Sequence, residues 1–158
     1  MGKREDSFMQ LAIDLSWKAM SEGKGGPFGA IVVHGEEVIG RGCNQVLSGN
    51  DPTAHAEIIA IREACKTLGS FLLEGCEIYT SCEPCPMCLG AIYWSRAEKV
   101  YYANSRSDAE QAGFDDAFIY REISLTPSER RLPMLRMKLP GAVAVFEEWT
   151  KKYPKTVY

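Results

Sequence analysis

The sequence predicts an α/β fold in which helices cover both faces of a largely parallel sheet, and three observations carry that reading. Short apolar runs at Ala30-Ile31-Val32-Val33, Cys76–Ser81 and Lys99–Ala103 alternate with longer stretches of helical spacing. His34-Gly35-Glu36 reads as a hairpin turn, so the first two strands form an antiparallel pair. Gly69 supplies a helix stop and Pro86 a helix start, which separates the later elements cleanly.

From Ser7 to Met20, Phe8, Leu11, Ala12, Leu15 and Ala19 recur at helical spacing with Asp6 or Ser7 as the cap, marking a packing helix. Trp17 lies off that stripe, exposed or facing a partner subunit. Gly23 to Gly26 stop the helix, and Pro27-Phe28 leads into the first strand, whose unbroken apolar run is that of a buried strand. His34, in the turn, reads as a loop histidine in solvent. The second strand, about Glu37 to Cys43, delivers Asn44 to its end. Asparagine there is commonly turn chemistry, yet a buried amide also offers both a donor and an acceptor to a heterocycle edge.

His55 to Leu68 reads as a second helix with Ile58, Ile59, Ile61, Ala64 and Cys65 turned inward. Cys76–Ser81 is a central strand, Pro86–Trp94 a third helix and Lys99–Ala103 the next strand. In this order the second and third helices both start at the carboxyl end of the sheet, where α/β active sites usually lie.

Composition bounds the possibilities. The 158 residues, 46% hydrophobic and 25% charged, suit one domain spanning 1–158 with a core of ordinary size. The charged start Met1-Gly2-Lys3-Arg4-Glu5-Asp6 is not followed by a signal-type apolar stretch, and no run approaches a membrane span, so the expected setting is cytoplasmic, without a membrane partner. A net charge of −3 argues against a nucleic-acid partner, which calls for a basic footprint. Six cysteines, three of them within Cys82–Cys88, fit a metal site plus buried thiols (Cys43, Cys65, Cys76) better than a disulfide framework.

The chemistry concentrates in His55-Ala56-Glu57 and Pro84-Cys85-Pro86-Met87-Cys88. Imidazole and thiolate are ligands that Zn²⁺ favours, and a catalytic zinc keeps three protein ligands and one open position. His55, Cys85 and Cys88 meet that count, with the two cysteines on one face of a helical turn. Glu57 is read as a proton carrier, since a carboxylate beside two thiolates would leave zinc a poor acid. Positions two apart on a helix diverge, so His55 and Glu57 converge only if they occupy its first turn and the site lies off the helix end; Asp51-Pro52-Thr53 supplies start signals for that. A bare C-x-x-C pair also suits redox chemistry, but a redox dithiol needs no upstream His and Glu. A closed structural site with Cys82 as fourth ligand competes more closely; against it, Cys82 sits at the predicted end of a strand, and such a site gives Glu57 no task.

H-x-E followed by P-C-x-x-C is the signature of zinc nucleobase deaminases. From about Phe8 to Tyr102 the chain resembles the cytidine-deaminase-like superfamily, which implies a three-layer α/β/α fold with a central mixed five-stranded sheet and one Zn²⁺ per chain. The blocks Gly25-Gly26-Pro27-Phe28-Gly29-Ala30, Asn50–Glu57, Thr80–Trp94 and Gly113-Phe114-Asp115-Asp116, with the last tyrosine, resemble the guanine-deaminase branch more closely. That resemblance implies hydrolysis of guanine to xanthine and ammonia, with Glu57 as general acid–base. It also implies substrate contacts from Phe28, Asn44, Ala56, Trp94, Asp116 and Tyr158.

A carboxylate such as Asp116 suits guanine, whose N1–H and 2-amino group form an adjacent donor pair that adenine and cytosine lack. Guanosine, cytosine, tRNA adenosine or an ammeline-like triazine remain alternative substrates, and a non-catalytic zinc-stabilised module remains the alternative class. By the same resemblance, the segment from about 105 to 158, including a helix near Ala142 to Lys152, is exchanged between the subunits of a domain-swapped homodimer.

Overall fold

In the computed structural model, which describes residues 2–156, the strand read as buried lies inside the sheet. β1 (Gly29–His34) is shielded as far as Val33. β2 (Glu37–Cys43) and β3 (Cys76–Cys82) flank it, both antiparallel to it, and β4 (Lys99–Asn104) runs parallel to β3 at the far edge. The order is β2-β1-β3-β4.

Two expectations are corrected here. The sheet has four strands among the described residues and not five. A fifth would come from the chain after Asn104, but Ser105 at once caps a helix, α5 in chain order (Arg106–Gln111), its hydroxyl accepting from Asp108 N–H while its own N–H donates to Asp108 Oδ2 at 2.8 Å. Nor is the pairing largely parallel, since two of the three ladders are antiparallel. β2, β3 and β4 do share a direction, as the helical crossovers between them require, but β1 is inserted between β2 and β3.

Alternate residues of β1 point to opposite faces. Ile31 and Val33, with Tyr79 of β3, meet Phe8 and Ala12 of α1 (Lys3–Ser21). Ala30 and Val32, with Ile39 and Ile78, meet Ala56, Ala60 and Ala64 of a helix at Ala56–Leu68, α3, and Ile92 of α4 (Pro86–Ser95). The three-layer arrangement follows directly from that two-sided burial.

α3 presents its alanines to the sheet, leaving Ile58, Ile59, Ile61 and Cys65 only partly buried. The cause lies in β2, where a Cβ at Gly42 would sit 1.9 Å from the Ala56 carbonyl oxygen. Helix backbone rests against strand backbone there, and no larger side chain fits. α1 likewise begins earlier than its apolar stripe suggests, because Glu5 accepts from Gly2 N–H at 2.9 Å. Arg4 then ties this first turn to Glu77 and Glu36, each at 2.8 Å. Leu11 is exposed and Ser16 takes the inward place, while Trp17, off the stripe, is exposed.

Antiparallel pairing gathers the start of β1 and the ends of β2 and β3 on one edge: Gly29 pairs with Cys43, and Ala30 with Thr80. A short helix, α2 (Val46–Gly49), follows β2 on that edge.

The chain divides after Asp116 into two units. The second contains α6 (Ala117–Ser124) and α7 (Ala144–Lys151). Within it, Arg130 Nε donates to the carbonyls of Glu122 and Leu125 at 3.0 and 3.1 Å, fastening the segment that follows α6. Many of its large apolar side chains are exposed in the single chain, Leu135 at 88%, Met137 at 77% and Phe146 at 71% among them. No described helix is long and apolar enough to cross a membrane.

Candidate active site

His55 and Cys85 occupy equivalent places. Each is the N-cap of its helix, α3 and α4 respectively, with extended backbone at ψ 156° and 167°. Pro86 takes the first helical position of α4, where a missing N–H costs nothing, and Cys88 completes that first turn. Two helix N-termini therefore aim at one point, and their positive ends favour thiolate there.

His55 Nδ1 lies 3.5 Å from Cys85 Sγ and 3.6 Å from Cys88 Sγ. With Zn–S near 2.3 Å and Zn–N near 2.0 Å, the N···S edge of a tetrahedral site is about 3.5 Å, so the donor set matches zinc in chemistry and in size. These three are the only His, Cys, Asp or Glu cluster of metal-binding proximity among the described residues. Cys82 is not among them: its thiol donates toward the Ser105 carbonyl at 3.6 Å, and burial pushes its pKa up to about 11. Three ligands leave one position open, the arrangement of a catalytic site.

Of the two ligand sulfurs, Cys85 takes negative charge more readily. The hydrogen bond from Cys88, with help from His55, brings it down to about 4, while the same shared proton and burial push Cys88 upward. A dication between them removes that asymmetry, since ligating thiols are deprotonated outright.

Glu57 occupies the first turn of α3, as the sequence reading required, and is only 6% exposed. Thr80 Oγ1 donates to its Oε1 at 3.4 Å, and Cys88 Sγ lies 3.4 Å from its Oε2. Burial, and then the negative charge of Cys85, raise its pKa above the usual carboxylate range. A carboxyl so placed, buried beside the metal position, is suited to handling a proton.

A cavity of about 660 Å³ opens onto this point. His55, Glu57 and Cys85 contribute to its wall together with Phe28, Asn44 and Asp116. Asn44 is 5% exposed, and its Oδ1 accepts from Val46 N–H at 3.2 Å, which leaves the Nδ2 amino group to serve a ligand. Asp116 is partly buried and Asp115 exposed; burial, then the charge on Cys85, raise the Asp116 pKa. Ala56 is fully buried behind the wall. Trp94 is 64% exposed and does not line the cavity, because it lies on the outward side of α4 near its end. Tyr158 lies outside the described residues.

Sequence reasoning missed part of the wall. Phe114 meets Phe28 edge-on with ring centroids 4.9 Å apart, and Glu83 and Arg106 form an ion pair at 3.3 Å on the same rim. Phe114 and Glu83 stand within the Gly113–Asp116 and Thr80–Trp94 blocks, whereas Arg106 carries no local signal.

An α/β/α sandwich bearing His-x-Glu and Cys-x-x-Cys on two converging helix N-termini defines a zinc-dependent deaminase fold, and the comparisons agree. Residues 3–104 match the cytidine and deoxycytidylate deaminase zinc-binding region, and the chain belongs to that family. Among individual proteins, guanine deaminase of Bacillus subtilis is 48% identical over 153 residues, 97% of this chain and 98% of that one. Its X-ray structure superposes with a TM-score of 0.95, at 47% identity, covering 100% of this chain and 99% of that chain. A tRNA-specific adenosine deaminase of Aquifex aeolicus is 42% identical over 118 residues, 75% of each chain.

Proposed function

We propose that this protein is a zinc-dependent guanine deaminase, converting guanine and water to xanthine and ammonia. The observation that carries the proposal is the extent of the likeness. The similarity to the Bacillus subtilis guanine deaminase runs through 97% of the chain, whereas that to the adenosine deaminase covers 75%. The cavity supports it chemically: a carboxylate and an amide, Asp116 and Asn44, stand on the wall beside Glu57 and can meet the donor and acceptor edges of guanine.

Zinc held by His55, Cys85 and Cys88 supplies the Lewis acidity that makes water a nucleophile at neutral pH. The reaction forms a C2–O bond and breaks C2–N. Glu57 takes the proton of the attacking water, passes it to the adjacent ring nitrogen, and carries a further proton to the departing amine, work that suits a buried carboxyl with a raised pKa. Phe28 and Phe114 offer an apolar wall to the base, and Asn44 donates to its O6 side while Asp116 accepts from N1–H and the 2-amino group. Ala56, Trp94 and Tyr158 remain proposed contacts on resemblance alone.

The active form is a homodimer in which the second unit, with its exposed apolar residues, is exchanged between subunits of a single-domain protein. Its expected setting is cytoplasmic. Ammonia release from zinc-loaded protein incubated in turn with guanine, guanosine, adenine, cytosine and ammeline tests the activity. Guanine turning over fastest supports it; silence on every compound leaves a zinc-stabilised module instead.

A further inference from the structure

Gly25 lies in the loop between α1 and β1, against the side chain of Asn44. A Cβ built on Gly25 would sit 2.0 Å from Asn44 Oδ1, 2.9 Å from its Cγ and 3.1 Å from its backbone oxygen. Gly25 is not among the glycines at positive φ, so alanine would keep the backbone conformation without strain. The severe overlap is with the Asn44 side chain, and the approach to the Asn44 backbone oxygen is a lesser one.

The surrounding backbone has little room to yield. Lys24 O accepts from Leu47 N–H at 3.2 Å and Ser48 N–H at 3.1 Å, and Phe28 O accepts from Asn44 N–H at 3.0 Å. The loop is thus stitched to residues 44–48 on both sides of Gly25. The mobile partner in any collision is the Asn44 amide, and moving it breaks the 3.2 Å bond from Val46 N–H that determines which end of the amide is left for a ligand.

We infer that Gly25 is a positioning residue for purine recognition: its missing side chain is what lets the Asn44 amide lie with Oδ1 on Val46 N–H and Nδ2 free to donate to the base. The inference rests on the proposed role of Asn44 as a substrate contact. Because the contact is to the O6 side, remote from the carbon that reacts, it binds substrate and transition state alike, and its loss falls on KM rather than kcat.

The test is a double-mutant cycle of Gly25→Ala and Asn44→Ala in the zinc-loaded enzyme, with steady-state kinetics on guanine, zinc content and melting temperature for each variant. Gly25→Ala should keep its zinc and its melting temperature while raising KM about tenfold with kcat nearly unchanged. Added to Asn44→Ala, it should have no further effect. Equal losses in both backgrounds, wild-type KM in Gly25→Ala, or loss of zinc or fold in that variant would each overturn the positioning role while leaving Asn44 as a contact. An Asn44→Ala enzyme with unchanged KM instead removes the substrate-contact reading, and the inference with it.

Discussion

Thr80 donates its hydroxyl to Glu57 Oε1 across 3.4 Å, a bond from β3 to α3 in which both partners are buried. It leaves Oε2 on the side of Cys88, so that oxygen faces the metal ligands. Replacing Glu57 with Gln should leave zinc bound and lower turnover by at least about two orders of magnitude. Thr80→Val, which only frees the carboxylate to rotate, should cost less in kcat and spare KM. Ammonia release comparable to wild type from Glu57→Gln would defeat the mechanism.

The geometry separates Cys82 from its neighbours, since its sulfur turns to the Ser105 carbonyl. Metal analysis should find one zinc per chain in Cys82→Ser and strongly reduced zinc in Cys85→Ser and Cys88→Ser, because a three-ligand site has none to spare. Equal depletion in all three variants would mean a closed structural site.

Gly42→Ala should be among the most damaging of small substitutions. The added methyl would meet the Ala56 carbonyl oxygen and, at 2.7 Å, the Ala60 nitrogen, both backbone atoms of the helix that carries His55 and Glu57. Overpacking of this kind costs about 1–3 kcal/mol or more, and here it displaces the zinc site. A lower melting temperature together with reduced zinc affinity is expected; wild-type values for both would show that the helix can move away freely.

Arg4 and Glu77 make the pH dependence testable away from the site. Burial works upward on Glu77, but the hydrogen bonds from Arg4 and Tyr79 outweigh it and hold the carboxyl below its usual range. A carboxyl with a depressed folded-state pKa stabilises above its unfolded value of about 4.3, and that contribution disappears as pH falls through the folded value. Arg4→Met should therefore melt below wild type at pH 7, and the gap should narrow below about pH 4. A gap of constant size across that range would assign the role of Arg4 to packing on Phe8, whose ring centroid lies 5.0 Å from its guanidinium carbon.

Light scattering should give a mass near twice 17.6 kDa at micromolar concentration. Removing Val157 and Tyr158 should keep that mass and the zinc while lowering kcat/KM for guanine by more than about tenfold. A single-chain mass counts against the exchanged dimer, and unimpaired kinetics in the truncated protein against a role for Tyr158.

Much of the site was legible because its determinants are local. The H-x-E and C-x-x-C spacings, the proline after Cys85 and the start signals before His55 act within a turn of helix, so the placement of His55, Cys85 and Cys88 on two helix N-termini follows from neighbours in sequence. Trp94 was less legible: an apolar residue in an apolar helix gives no indication which side will meet the cavity, and the structure turns it outward. That no fifth described strand follows β4 was likewise not foreseen, since Ser105 and Asp108 redirect the chain by a capping pattern that competes with strand continuation.

By itself, then, the sequence determined the zinc-type donor set, the place of Glu57 beside it and the direction of β2, β3 and β4, because ligand type, short-range spacing and helical crossovers dictate them. Only the tertiary structure decided that β1 would lie between β2 and β3, that alanines rather than isoleucines would face the sheet, and that Phe114, Glu83 and Arg106 would join the cavity wall. Those outcomes depend on how closely two backbones approach, as at Gly42 and Ala56, and on which distant segments share one edge of a sheet. Neither is encoded in the periodicity of a single stretch, for the contact belongs to both partners at once.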